Sequence, residues 1–354
     1  MSKISTLLDR IYESDLPSGA DLEQALALEN QAELDELFGF ADQVREKYCG
    51  GGIFLRGIIE FSNFCDKECF YCGINKNNRK LSRYRMKEDE LLKSVEYLAS
   101  AHIKTVVLQS GEDQDLDPLW LKDVISQIKS RFGLAVTISV GERSAADYQL
   151  WKQAGVDRYL LKMETLDEDL YNSMHPKMSF KQRLCCLDNL RKLGYQVGTG
   201  NIIGLPGQSL KTISRDILFF KQGNFDMLGI GPFIPHQETR FSVFPGAQAL
   251  LVLKTIALTR IVTKNTHLPA TTALGSLDQD YRPAGLRCGA NVLMPNFTPQ
   301  PYRKLYQIYP GKKCIDEPVG SCNFCLESMS KENDRFIDYG QGDSLKLRKV
   351  GLNV

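Results

Sequence analysis

FSNFCDKECFYCGINKNN, residues 61–78, holds Cys65, Cys69 and Cys72 in the spacing C-x3-C-x2-C, with an aromatic residue, Tyr71, directly before the last cysteine. Three thiolates this close can ligate three irons of a 4Fe-4S cube, whereas electron-transfer clusters are normally closed by a fourth cysteine. The fourth iron is then open to a small molecule. Zinc is the competing occupant, but a structural zinc site takes four ligands, usually as two C-x2-C pairs. This stretch supplies three.

Just upstream of the cysteines, residues 57–62 (GIIEFS) read as a β-strand, and from there short β-rich runs alternate with longer helical ones. Strands are expected at 57–62, 105–110, 135–140, 158–164, 196–203, 227–234, 269–274 and 290–295. Helices are expected at 87–102, 117–132, 145–154, 179–193, 210–222 and 247–264. Each gap is long enough for the crossover that parallel strands require. Eight such repeats over roughly 250 residues predict an α/β fold, a complete (β/α)8 TIM-type barrel, whose sites lie at the C-terminal ends of the strands. A doubly wound sheet competes, but no Gly-rich dinucleotide fingerprint follows the first strand. The cysteine loop therefore falls at the functional end of the barrel.

Outside the barrel, expected at residues 53–300, two further regions are read. Residues 1–52 are an N-terminal helical cap: Leu34, Leu37, Phe38, Ala41, Val44 and Tyr48 recur at helical spacing, and Cys49-Gly50-Gly51-Gly52 ends the run. Residues 301–354 are a C-terminal extension carrying a second cysteine group, Cys314, Cys322 and Cys325, spaced C-x7-C-x2-C. Its tail, from residue 330, is polar and expected to be irregular.

The 354 residues carry a formal charge of +1 with no basic run, which argues against nucleic acid or an acidic membrane surface as a partner. No apolar leader opens the chain and no run is long enough to span a membrane. The expected location is the cytoplasm, where ten cysteines point to metal or thiol chemistry rather than disulfides. Cys49, Cys185, Cys186 and Cys288 read as small buried hydrophobes.

Alternation along the fourth strand puts Arg158, Leu160, Lys162 and Glu164 on one face. Packed barrels fill such a face with branched apolar residues. Glu60, Gln109 and Thr137 are further polar strand positions, and buried charges are costly unless paired or bound to a ligand. Two readings stand: a hydrated cavity that accepts an anion, or an internal Arg/Lys–Glu network with no ligand. Thr271 and Thr272 would complete such a cavity wall.

Cysteine motif, strand ends and barrel pattern together resemble the radical S-adenosylmethionine (SAM) superfamily. The resemblance implies a 4Fe-4S cluster on Cys65, Cys69 and Cys72, and SAM chelated to the open iron and cleaved with an electron from a low-potential donor. Tyr71 stands at the aromatic position of the motif. Ser110-Gly111-Glu112-Asp113 resembles the superfamily's glycine-glycine-glutamate motif, which meets the methionine amine, although S-G-E-D also makes an ordinary turn. Further cofactor contacts are implied for Ser139 and Glu142 after strand 3 and for Glu164 and Thr165 after strand 4. Arg183 matches an arginine that pairs with the SAM carboxylate, a task its planar fork suits. Leu205, in residues 204–208 (GLPGQ), is implied against adenine, with Met294, Tyr306 and Tyr309 closing the site. Met163 stands where some relatives carry His, which argues against a general acid–base role there. His236, at the end of strand 6, reads as structural.

Phrases such as RYLLKMET, IGPFIPH, PATTA and LRCGANVLMPN extend the resemblance, over residues 53–325, to the FeFe-hydrogenase maturases of that superfamily. What this implies is a small anionic iron complex with carbon monoxide, cyanide and cysteine ligands as substrate, during assembly of the H-cluster diiron subcluster. Arg158, Lys162, Thr137, Thr271 and Thr272 are the expected substrate contacts. Implied partners are a sister radical SAM maturase and a scaffold GTPase, and Cys314, Cys322 and Cys325 would carry a second cluster, 2Fe-2S or 4Fe-4S, or stay reduced thiols. Methylornithine synthase is the alternative. Biotin synthase is a poorer one, because it needs three more cysteines inside the barrel. A non-catalytic Fe–S carrier would need the cysteines but not Glu164, Arg183 or GLPGQ.

Overall fold

A computed structural model describes residues 2–316 and 322–346. Its strands are β1 (Gly52–Leu55), β2 (Gly57–Ser62), β3 (Thr105–Ser110), β4 (Ala135–Ser139), β5 (Arg158–Leu160), β6 (Gln196–Ile203), β7 (Met227–Pro232), β8 (Val292–Leu293) and β9 (Phe336–Asp338). β2 to β7 form one parallel sheet in chain order. Runs such as Val106-Val107-Leu108 are buried on both faces, the condition under which parallel strands are stable.

Two further segments close the sheet into a ring. Leu228 N donates to His267 O (2.9 Å), and Asn291 N donates to Leu268 O (2.8 Å). Ile58 N then donates to Pro295 O (2.8 Å) and Phe297 N to Ile58 O (2.7 Å), which brings the chain back to β2. Six strands and the segments 267–270 and 291–297 thus make an eight-membered barrel. The seventh and eighth strands are shorter than their sequence pattern predicts, because Pro269 and Pro295 offer no N–H to a ladder. β5 is also shorter than the expected 158–164. Met163 N donates to the Thr199 hydroxyl (3.3 Å) instead of a strand carbonyl, and Glu164 turns into the left-handed region at φ 66°.

Helices Glu88–Ser100, Pro118–Phe132, Ala145–Gln153, Phe180–Lys192, Leu210–Gln222 and Ala249–Thr263 cover the outside. Ser144, Ser179 and Ser209 each accept a backbone N–H at the helix N-terminus, and Pro118 opens its helix after the Asp117 cap. Ahead of the barrel lie helices Lys3–Glu13, Gly19–Leu26 and Gln31–Cys49, the last ended by Gly50 at φ 70°. Leu22 and Leu37 share one continuous core with Ile256 and Ile261, so these helices are packed into the barrel's outer layer.

Among its described residues the polar tail is only partly irregular, and it is firmly anchored. Helix Cys322–Lys331 leads into β9, which pairs with β1, and residues 339–346 cross the N-terminal end of the barrel. Arg335 donates to Gly52 O (2.9 Å) and Ala290 O (2.7 Å), and Asp343 accepts from Arg158 (2.7 Å) and Gln196 (2.8 Å). The tail's charges are partners for buried backbone and for a buried arginine, and polarity alone does not show that. Among the described residues, no helix is long and apolar enough to cross a membrane.

Trp151 is fully buried, and its indole N–H holds Pro118 O at 3.0 Å, tying two barrel helices together. Trp151→Ala should lower unfolding free energy by about 3–5 kcal/mol, measured by denaturant titration.

Candidate active site at the cysteine loop

The cysteine loop leaves β2 at the C-terminal mouth of the barrel and has little regular structure of its own. Its neighbours hold it on three sides: Asp66 N donates to Glu112 O (2.8 Å), Phe70 N to Met174 O (3.1 Å) and Gly73 N to Ile308 O (2.8 Å). Arg83 gathers three carbonyls of the loop, those of Asn63 (2.6 Å), Ile74 (2.8 Å) and Asn75 (2.6 Å). A side chain at Gly111 would meet Phe64 O at 2.2 Å and Cys65 Cβ at 2.7 Å, so the absence of a Cβ lets β3 approach the loop.

Cys65, Cys69 and Cys72 line one wall of a cavity of about 350 Å³ inside the barrel mouth. Burial raises each thiol above its usual range, Cys72 to about 12, and neighbouring thiols add to the rise at Cys69 and Cys72. Three thiolates here need a positive partner. Among the described residues, no three Cys, His, Asp or Glu side chains are placed to share a single metal ion. A cube takes each thiolate on a different iron, so the donor set fits a cluster with one iron left open.

Next to the thiols lies a set of alternating charges. Lys67 sits 3.0 Å from Glu112, Arg183 sits 3.5 Å from Glu112 and 3.2 Å from Glu142, and Lys162 sits 3.0 Å from Glu164. Arg183 Nε and Glu142 Oε1 are buried and make no well-formed hydrogen bond, although they face each other. That leaves donor and acceptor capacity for a polar ligand carrying both signs, as the amine and carboxylate of SAM do. Gly141, at φ 78°, makes room for the Glu112 side chain, which a Cβ there would meet at 2.3 Å. Glu164 holds its left-handed conformation because both sides are braced. Its N–H donates to Gly200 O (3.0 Å), and Leu166 N and the Asn201 amide both reach buried Asp216, at 2.7 and 2.9 Å. Burial pushes Asp216 up to about 7.

The cavity brings together most of the residues singled out from the sequence: the three cysteines, Tyr71, Ser110, Gly111, Glu112, Ser139, Lys162, Glu164, Arg183, Thr271, Thr272, Met294 and Tyr306. Others lie elsewhere. Arg158 and Thr137 line a small crevice at the opposite end of the barrel, where Arg158 meets Thr105 and Asp343. Arg158 faces inward as Leu160 and Lys162 do, but four residues below Lys162, so it lies outside the cavity. Thr165 accepts from Asp167 N (3.2 Å) in a turn, and Leu205 packs with Met174, Ile202 and Phe233 beside Tyr71. Cys314 and Cys325 line a separate pocket of about 20 Å³ behind Thr272, Met294 and Asn296, while the Cys322 side chain lies outside the described residues. His236 accepts from Glu238 N (3.1 Å) and bears on Gly73, where a Cβ would meet its ring at 2.5 Å.

Sequence reasoning missed Lys67, Lys312 and His175. The two lysines sit in irregular segments, where no periodicity shows which way they point. His175 is buried, and its Nδ1 lies 2.9 Å from Tyr171 O, an acceptor, so Nδ1 carries the proton. Nε2 then accepts from the Tyr71 hydroxyl at 2.9 Å, which fixes that ring beside Cys72. Burial lowers His175 to about 3. The unfolded chain therefore binds the extra proton first, and stability present above pH ~6.5 is lost as pH falls towards 3. His175→Gln should flatten this acid loss, measured as denaturant midpoints at pH 7.5, 5.5 and 4.5.

Comparison with known proteins agrees with this geometry. The profile of the radical SAM superfamily matches residues 59–220. The chain is 46% identical over 308 residues to the [FeFe] hydrogenase maturase subunit HydE of Thermotoga maritima, covering 87% of this chain and 88% of that one. It is 28% identical over 287 residues to 3-methylornithine synthase of Methanosarcina acetivorans, covering 80% and 81%. The crystal structure of methylornithine synthase (PylB) superposes with a TM-score of 0.83 at 25% identity, covering 95% of this chain and 98% of that one. A cysteine loop on the first strand of a parallel barrel, and this likeness across the chain, place the protein in the radical SAM superfamily, among its hydrogenase maturases of the HydE kind.

Proposed function

We propose that this radical SAM enzyme acts on a small anionic iron complex bearing carbon monoxide, cyanide and cysteine, during assembly of the diiron subcluster of FeFe-hydrogenase. The observation that carries the reading is Lys162, which projects into the cavity from beyond β5 next to Glu164. The wall near it is open: even a Cβ added at Gly229 would stand 3.9 Å from the lysine stem, and one added at Gly231 would stand 3.7 Å from the Thr271 hydroxyl. Met227 and Met294 line the same space, and soft thioethers suit an iron–sulfur ligand set better than a sugar or an organic acid.

When bound, cluster and SAM supply reductive cleavage of the S–C5′ bond to a 5′-deoxyadenosyl radical. The chain's own residues bind, orient and enclose. Cys65, Cys69 and Cys72 would hold the cube. Glu112 and Arg183 present opposite charges to the methionine end of SAM, and Ser139 and Glu164 line the path beyond. Lys162 offers the charge that draws an anionic complex deeper, and Thr271 and Thr272 offer hydroxyls to its ligands. Buried Tyr306 closes the side of the cavity against solvent and the oxygen dissolved in it.

The same reading has a sister radical SAM maturase supply the complex, a scaffold GTPase receive the product and a low-potential protein donate the electron, all in the cytoplasm. Cys314, Cys322 and Cys325 would hold an accessory second cluster beside the cavity wall. Methylornithine synthase shares the fold and SAM site, so substrate turnover has to separate the two readings.

Anaerobically reconstituted enzyme should form 5′-deoxyadenosine faster when a cyanide-bearing iron–cysteine complex is added. Lys162→Met should weaken binding of that complex about tenfold, the scale of one charge-assisted contact, and weaken SAM binding less. Equal loss of both would make Lys162 structural, and no response to the complex would remove the proposed substrate.

A further inference from the structure

Lys312 is buried where a lysine is costly. Its side chain is 5% exposed, and it is paired with Glu60 of β2, whose side chain is 3% exposed. Glu60 also accepts from the Asn296 amide (3.0 Å), and Lys312 lies 3.3 Å from Tyr306 O. A buried ion pair often adds little net stability over well-packed apolar residues. What it fixes is position.

The position in question is that of residues 303–314. Leu305 O accepts from the Asn63 side chain at 2.8 Å, and Ile308 O accepts from Gly73 N at 2.8 Å. Those two bonds lie at opposite ends of the cysteine loop. Contact at Gly73 is so close that a Cβ there would meet Gln307 O at 2.2 Å. The Tyr306 hydroxyl takes the Gln109 amide of β3 at 3.3 Å. Arg303 anchors the segment to Thr298 O (2.5 Å) and Cys314 O (2.9 Å), and Gly311, at φ 65°, turns the chain so that Lys312 points back into the barrel. Pulling Lys312 onto Glu60 therefore presses residues 305–309 against the loop that carries the thiols.

We propose that Lys312 is a positioning residue for the cluster: through Glu60 it clamps residues 305–309 onto the cysteine loop and so sets where the open iron faces the SAM-binding charges. This rests on membership of the radical SAM superfamily and not on the identity of the iron complex, so it stands or falls separately from the proposed substrate. Two variants test it. Glu60→Gln keeps the shape of the side chain and removes its charge, and Lys312→Met/Glu60→Gln removes both charges, leaving neither unpaired. Each should bind iron and sulfide as the parent does. Each should raise the KM for SAM about tenfold, the scale of one lost charge-assisted contact, and reduce the change that SAM induces in the electron paramagnetic resonance signal of the reduced cluster. Lys312→Arg, which keeps the ion pair with Glu60, should leave both at the parent's values. A folded, cluster-loaded variant with the parent's KM and SAM-induced signal would overturn the proposal. So would a loss confined to thermal stability and cluster loading, with the loaded fraction behaving normally. Should the variants be unstable, hydrogen exchange on the unaltered protein decides: Gly73 and residues 305–309 should open as one unit, and independent opening would refute the clamp.

Discussion

Three backbone hydrogen bonds, from Asp66 to Glu112, Phe70 to Met174 and Gly73 to Ile308, hold the cysteine loop between three separate parts of the barrel mouth. The loop has no ladder of its own, so its shape is set by those anchors. Its thiols are half-buried and their pKa values are raised, a state that favours neutral sulfur until a cation arrives. A cluster that neutralises the thiolates is therefore both ligand and staple. Three cysteines on one wall, with charged residues beside them, would hold such a cluster with no fourth cysteine from the cavity lining to close it.

The cavity is the second consequence. Most barrels of this type fill their interior with branched side chains in layers. Here the interior holds Glu60, Lys162, Glu164 and Lys312 together with Gly229 and Gly231, and the charges pair across short distances. Paired charges can remain buried where single ones cannot. The opposite end is closed by different means, with Asp343 of the C-terminal strap bound to Arg158. The barrel is thus a cup with a polar lining and a sealed base, which suits chemistry that must exclude water and oxygen.

Much of this was legible in the sequence, for identifiable reasons. Runs such as 105–110 (TVVLQS) and 227–232 (MLGIGP) are mostly apolar and lie beside turn residues, and the structure has strands over those residues. Cys65, Cys69 and Cys72 follow the first barrel strand, so chemistry and topology pointed to one place. Period-2 reasoning along 158–164 puts Arg158, Leu160, Lys162 and Glu164 on the inner face, and Leu160, Lys162 and Glu164 do line the cavity although the ladder ends at Leu160. What alternation does not give is depth: Arg158 opens the strand and lines the crevice at the opposite end of the barrel. The tail misled in part because its polar residues find buried partners far away in sequence, as Asp343 does with Arg158, 185 positions earlier. Lys67, Lys312 and His175 were missed because the choice of an ion-pair or hydrogen-bond partner is a tertiary event that leaves no local pattern.

The central claim is that the open iron on Cys65, Cys69 and Cys72 is the seat of SAM. The most direct measurement is electron–nuclear double resonance on the reduced, reconstituted protein with SAM labelled by ¹⁵N at the amine and ¹⁷O at the carboxylate. Hyperfine coupling of both labels to the cluster is predicted. A fully loaded cluster that shows neither coupling would contradict the account.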